Sequence, residues 1–185
     1  MSGHNKWSQI KHKKAITDQK KAKVFTKLLA AVQASAREEV NPDFNPRLRT
    51  AIQKAKEANI PQENIERAIN RAKDNPTEEM LIEAYGPGGT AFLIAVITDS
   101  RNRAIAEIKK LLSDNNAKFA EQGSVQWMFN QSLEGEWTPK FEQSINDELA
   151  PEIESLMEAL DDHQDVVEIY TNADIKSKEE VDIEE

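Results

Sequence analysis

The sequence predicts an α+β protein, an amino-terminal three-helix domain followed by a small α+β domain with a mostly antiparallel sheet. Three observations carry this. Apolar residues recur at helical spacing up to residue 73, the spacing turns toward a period of two after Asn75-Pro76, and the charge reverses at the same place. Residues 1–73 hold 16 Lys and Arg against 7 Asp and Glu, a balance of +9; residues 74–185 hold 8 against 26, a balance of −18. The expected division is a basic helical domain with a flexible arm over 1–76, an α+β domain over 77–175, and a disordered acidic tail over 176–185. A length of 185 residues suits two small cores better than one large one.

Taken in order, residues 1–16 have many cations, one Trp and too few apolar side chains to bury a helix face, so they read as an arm that needs a partner. Val24, Phe25, Leu28, Leu29, Val32 and Ala36 then predict an amphipathic helix from residue 17 or 18 to 39. Asn45 and Pro46 read as the N-cap and first position of a second helix, whose apolar face is Leu48, Ala51, Ile52 and Ala55. Pro61 precedes a third helix striped by Ile65, Ala68, Ile69 and Ala72.

In the second domain, Met80, Ile82 and Ala84 alternate as in a strand, Gly86-Pro87-Gly88-Gly89 reads as a hairpin loop, and 90–98 is rich in strand formers. Ile105, Ile108, Leu111 and Leu112 predict a helix over 102–115, and 124–129 reads as another strand. Pro151 opens a last helix containing Ile153, Leu156, Met157 and Leu160, and Val167 and Ile169 predict a closing strand.

Composition excludes several classes of function. Without Cys there are no disulfides, thiolate metal sites or cysteine nucleophiles, which suits a reducing compartment and predicts a cytoplasmic protein. No apolar run approaches the roughly 20 residues of a membrane span, so no membrane partner is expected. The net charge of −9 would disfavour nucleic acid if it were spread evenly, but segregation lets the basic part attract a polyanion while the acidic part orients it.

The strongest chemical signal is the cationic segment Lys6, Lys11, Lys13, Lys14, Lys20, Lys21, Lys23 and Lys27, against the single acid Asp18. Lys20, Lys23 and Lys27 fall on one stripe of the first helix, more than a right angle from the centre of its apolar face. Trp7 offers a stacking surface for an unpaired base, and Arg47 and Arg49 could extend the footprint. Lysine holds phosphate as a flexible point charge, so this set predicts affinity and salt sensitivity rather than base readout. The plainer reading is a solvated helix face with a loose tail.

Several motifs carry a resemblance. Gly3-His4-Asn5-Lys6-Trp7, Ile10-Lys11-His12-Lys13-Lys14 and Lys23-Val24-Phe25-Thr26-Lys27-Leu28 are followed by Asn45-Pro46-Arg47-Leu48-Arg49 and Asn64-Ile65-Glu66-Arg67-Ala68-Ile69. Then come Tyr85-Gly86-Pro87-Gly88-Gly89-Thr90, Thr98-Asp99-Ser100-Arg101-Asn102-Arg103, Gly123-Ser124-Val125 and Tyr170-Thr171-Asn172-Ala173-Asp174. In content and order the sequence resembles the YebC/PmpR-type family, which includes the mitochondrial translational activator of cytochrome oxidase. The resemblance implies regulation of gene expression, described for the family both as DNA-binding transcriptional control and as ribosome-associated translational activation. It also implies a third small domain, for which the chain leaves only 130–137, so that domain is expected to be absent.

Two loops carry alternatives. Gly86-Pro87-Gly88-Gly89 could cradle a phosphate, but no Lys-Ser/Thr follows and strands flank it, which favours a plain hairpin. Arg101, Asn102 and Arg103 sit at a strand-to-helix junction, where they could form a second phosphate or RNA contact; alternatively Asp99 or Ser100 caps the helix and the arginines pair with carboxylates. His4, His12 and His163 are too scattered for a metal cluster, no cofactor is expected, and no catalytic residue stands out. The expectation is a non-enzymatic, nucleic-acid-binding regulator, monomeric, whose partner is DNA or ribosomal RNA or mRNA, with the ribosome as a further partner. RNA is favoured, because no helix with base-reading side chains stands out. The alternatives are a protein-binding scaffold without nucleic acid, or an enzyme.

Overall fold

One asparagine shapes the turn on which the first domain is built. In the computed structural model, which describes residues 18–133 and 135–174, three helices form this domain: α1 (Asp18–Ser35), α2 (Pro46–Glu57) and α3 (Gln62–Arg71). The expected arm and acidic tail lie outside the described residues, and Lys6, Trp7, Lys11, Lys13 and Lys14 with them. The side-chain oxygen of Asn45 accepts from the Leu48 amide at 3.0 Å, capping α2 as expected. Its amide nitrogen donates to the carbonyls of Ser35, at 2.8 Å, and Glu39, at 2.7 Å. That first bond takes the carbonyl a longer helix would present to the amide of residue 39, which explains why α1 ends at Ser35 rather than 39. Asn59, at φ 60°, occupies the left-handed position after α2 and reverses the chain into α3. Val32, Ala36, Leu48, Ala51, Ala55, Ile60, Ile65, Ala68 and Ala72 bury the predicted stripes in one core.

The second domain is organised by a hairpin. Strands β1 (Glu78–Tyr85) and β2 (Ala91–Thr98) pair antiparallel along their full length, from Glu78 opposite Thr98 to Tyr85 opposite Ala91. The loop between them needs its glycines: Gly88 has φ 68°, and a Cβ on Gly86 would lie 2.5 Å from the Phe92 ring. The helices α4 (Arg101–Asp114) and α5 (Ala150–Asp162) cover one face, where Ile82, Ala84, Phe92, Ile94 and Val96 meet Ala104, Ile108, Leu112, Ile153, Leu156 and Leu160. β3 (Lys118–Phe119) and β7 (Val166–Thr171) complete a four-stranded antiparallel sheet in the order β3-β1-β2-β7. Short strands β4 (Phe129–Gln131) and β5 (Trp137–Pro139) pair antiparallel, and β6 (Gln143–Ser144) and β8 (Ala173–Asp174) pair parallel. The fold is α+β with a mostly antiparallel sheet, as the sequence predicts.

Two expected strands differ in detail. Over 124–129 the chain makes a 3-10 turn at Gln126–Met128 and enters β4 only at Phe129. The cause is Glu83, whose buried carboxylate accepts from the amides of Gly123 (2.5 Å), Val125 (2.6 Å) and Gln126 (2.8 Å) and so curls the segment around an anion. In β7 the inward residues are Val166 and Ile169 rather than Val167 and Ile169. The register with β2 shifts between Ala95 and Val96, and the extra residue resets the alternation.

The helical domain rests on this sheet, with α1 against β2 and β7. Where a third domain was expected to be missing, β4 and β5 pair with each other directly, and just beyond the pair the Ser132 amide donates to the Glu136 carbonyl at 2.8 Å.

Replacing Asn45 with Ala removes an N-cap and leaves two carbonyls without their donor, a loss of about 2–3 kcal/mol of stability. Urea denaturation measures it, and Asn45→Ser, which keeps a cap acceptor, should recover part.

Candidate nucleic-acid interface

The cations of the helical domain fall into two groups. Lys20, Lys21 and Arg49 stand exposed on α1 and α2. The rest of the described candidates reach the α+β domain. Lys23 meets Asp162 at 3.1 Å, with both side chains more than half exposed, and Arg47 pairs with Glu79. Lys27 is buried: its ammonium donates to the main-chain carbonyl of Asp161 and lies 3.2 Å from the carboxylate of the same residue.

Lys27 therefore corrects the expected stripe. The angle that separates Lys20, Lys23 and Lys27 from the apolar face of α1 keeps them out of the helical core, but α1 has a second packing partner, and the stripe turns toward α5. Lys27 is consumed by that contact, Lys23 lies at its edge, and Lys20 is in solvent.

Sequence reasoning did not single out Lys54, which meets Glu136 at 3.0 Å across the same interface. The signal available for it was the opposite charge of the two halves, which names no individual pair. Gln33 donates to the Asn75 carbonyl at 2.8 Å and Arg37 to that of Thr77, tying α1 and the turn after it to the connection that leads into β1.

At the second candidate contact the arginines are engaged within the domain. Arg103 bonds Asp99 at 3.0 Å, Glu107 at 3.1 Å and Asp165 at 2.8 Å, and Arg101 lies 3.8 Å from Glu78. The hydrogen bond to Asp99, opposed by desolvation and reinforced by the other two carboxylates, holds the Arg103 guanidinium above its ordinary pKa. These are the carboxylate pairings expected as the alternative to a phosphate contact at Arg103. Ser100 occupies the N-cap position of α4 without a side-chain bond, and Asn102 is exposed in the first turn.

His163, one of three histidines expected to be too scattered for a metal cluster, has its Nε2 3.0 Å from Glu107, and with Glu107 and Asp165 it places three ligand-type atoms within 4.8 Å of one another. The positive charge these carboxylates meet is that of Arg103. Around Trp127 and Phe141, both exposed and with ring centroids 6.3 Å apart, lies an aromatic pair that the sequence reading did not identify. Among the described residues no helix is long and apolar enough to cross a membrane.

Comparison with known proteins gives a consistent picture. The family model described as the TACO1/YebC protein N-terminal domain matches residues 5–75, and the one described as the TACO1/YebC second and third domain matches residues 77–133. A probable transcriptional regulatory protein of Solibacter usitatus is 35% identical over 242 residues, covering 97% of this chain and 98% of the relative. One of the same description from Desulfosudis oleivorans is 50% identical over 135 residues; there the match spans 70% of this chain and only 55% of the relative. Among solved structures, a conserved hypothetical protein of Aquifex aeolicus superposes with a TM-score of 0.83 at 28% identity, covering 94% of this chain and 98% of the other.

Lys27→Met removes the ammonium that the partly buried Asp161 carboxylate and its carbonyl meet, so stability should fall by about 2 kcal/mol, less than for a fully dry pair. Lys20→Ala and Lys21→Ala should each change it by less than about 0.5 kcal/mol. Thermal melts of the three variants make the comparison; equal effects would show that Lys27 is not a docking residue.

Proposed function

The chain belongs to the TACO1/YebC family, and from that premise we propose that it is a non-enzymatic, nucleic-acid-binding regulator of gene expression acting in the cytoplasm. The observation that carries the reading is the exposed set Lys20, Lys21 and Arg49, on the domain whose amino-terminal arm adds Lys6, Lys11, Lys13 and Lys14. The names of the relatives, probable transcriptional regulatory proteins, support regulation. The contacts are with phosphate: α1 and α2 offer lysine and arginine in solvent, and the positive field of the first 73 residues draws a polyanion to them. Trp7 would stack on an unpaired base, and RNA is the target that this composition fits best.

We further infer that the family's third domain is absent. The family model for the second and third domain matches no further than residue 133, and only residues 132–136 separate the paired strands β4 and β5. Phosphate binding by the helical domain does not depend on it.

Deleting residues 1–16 together with Lys20→Ala, Lys21→Ala and Arg49→Ala should weaken binding to single-stranded RNA and to duplex DNA more than about tenfold at fixed salt, while thermal melts show that the domain stays folded. For a complex that neutralises about 5 phosphates, the logarithm of affinity should fall with the logarithm of salt at a slope near −4.5 on duplex and −3.5 on single strands. An unaltered gel shift would sink the assignment; no gel shift with the intact protein would favour a protein-binding scaffold.

A further inference from the structure

Three exposed or half-exposed ion pairs across the domain interface share one polarity. Lys23, Arg47 and Lys54 come from the helical domain; Asp162, Glu79 and Glu136 come from the α+β domain. In each pair both partners keep roughly a third or more of their side-chain surface in water. Such pairs are individually weak and exchange readily. The fourth pair, Lys27 with Asp161, differs in kind, because the Lys27 side chain is only 10% exposed and also donates to a main-chain carbonyl.

We propose that Asp162, Glu79 and Glu136 are internal competitors for nucleic-acid phosphates at Lys23, Arg47 and Lys54, so that they set the affinity threshold and hence the selectivity of the cationic surface. The inference rests on the reading of the helical domain as a phosphate-binding surface and adds to it the residues that restrain it. A carboxylate and a phosphate oxygen make the same demand on an ammonium or guanidinium, namely an anionic acceptor at hydrogen-bond distance. A diester strand presents such acceptors in a row, so it can replace several carboxylates at once, whereas isolated anions must do so singly. The buried Lys27 pair stays closed during the exchange and keeps the two domains docked. Weak or short polyanions leave the carboxylates in place; a strand that contacts several cations together displaces them.

The competition has a thermodynamic signature. When a phosphate takes a cation from a carboxylate, the freed carboxylate recovers a cation from solution and offsets part of the counterion release that drives binding. Neutralising the carboxylates removes that offset. Intact protein carrying Glu79→Gln, Glu136→Gln and Asp162→Asn is compared with the wild type and with a control carrying Glu142→Gln, Glu148→Gln and Glu154→Gln. The control changes net charge equally at exposed carboxylates that meet no cation of the helical domain among the described residues. The probe is a single-stranded RNA 20-mer, titrated over a range of salt with circular dichroism as the folding check.

The paired variant should bind about tenfold tighter than the wild type at low salt, with a salt slope steeper by about 2. The control should keep the wild-type slope and gain less than about threefold from screened long-range charge. Should the triple variant fail to fold, Asp162→Asn alone should steepen the slope by about 0.7. Binding with equal slopes in the paired variant and the control overturns the competition while leaving the phosphate-binding reading intact. No binding by either the wild type or the paired variant overturns that reading, and the competition with it.

Discussion

The ammonium of Lys27 against the carbonyl and carboxylate of Asp161 is the contact on which the arrangement of the two domains depends. Helix α5 ends Leu160-Asp161-Asp162, two acids at the negative pole of a helix that has no basic residue in its last turn. Alone, that terminus is electrostatically unfavourable. Lys23 and Lys27, one turn apart on α1, supply the missing cations, one to Asp162 and one to Asp161. Meanwhile Val32, further along α1, is fully buried in the helical core. One helix thus builds the first domain with one face and neutralises a helix end of the second with another, and this double use fixes how the domains meet.

Elements with local causes were legible in the sequence. The Asn45-Pro46 cap, the stripes of α2 and α3, and the β1–β2 hairpin with its glycines all follow from residues close in the chain. What escaped was set by partners distant in sequence. Segment 124–129 bends because Glu83, some 40 residues earlier, buries a carboxylate that needs three amides. The alternation Met80, Ile82, Ala84 places Glu83 on the opposite face of β1, where a solvated glutamate is the ordinary outcome and a buried one has no local marker. Likewise the phase of β7 depends on a register shift against β2 that its own alternation does not encode.

The candidate interface divides in the same way. That the first domain attracts polyanions is legible from the charge count, because a field is a sum over residues and needs no pairing. Which cations remain available is not legible, since that depends on which carboxylates the second domain brings near. Helical periodicity measures the angle of Lys27 from one core only, and a helix with two packing partners can bury a residue that lies well off its apolar stripe.

A chain with a net charge of −9 can bind a polyanion because the field in water is local. At physiological ionic strength charges further apart than about 8 Å are largely screened, so a phosphate at α1 responds to the cations there and hardly to the acidic surface beyond. The acidic domain matters only where it touches the basic one. Asp161, Asp162, Glu79 and Glu136 lie at that boundary, and each compensates a cation of the helical domain. The edge of the positive surface is therefore drawn by domain docking rather than by composition, and Lys20, Lys21 and Arg49 lie in solvent outside it. A change in how the domains sit would redraw that edge without altering a single residue of the basic domain, which couples the strength of the cationic surface to the packing of α1 against β2, β7 and α5.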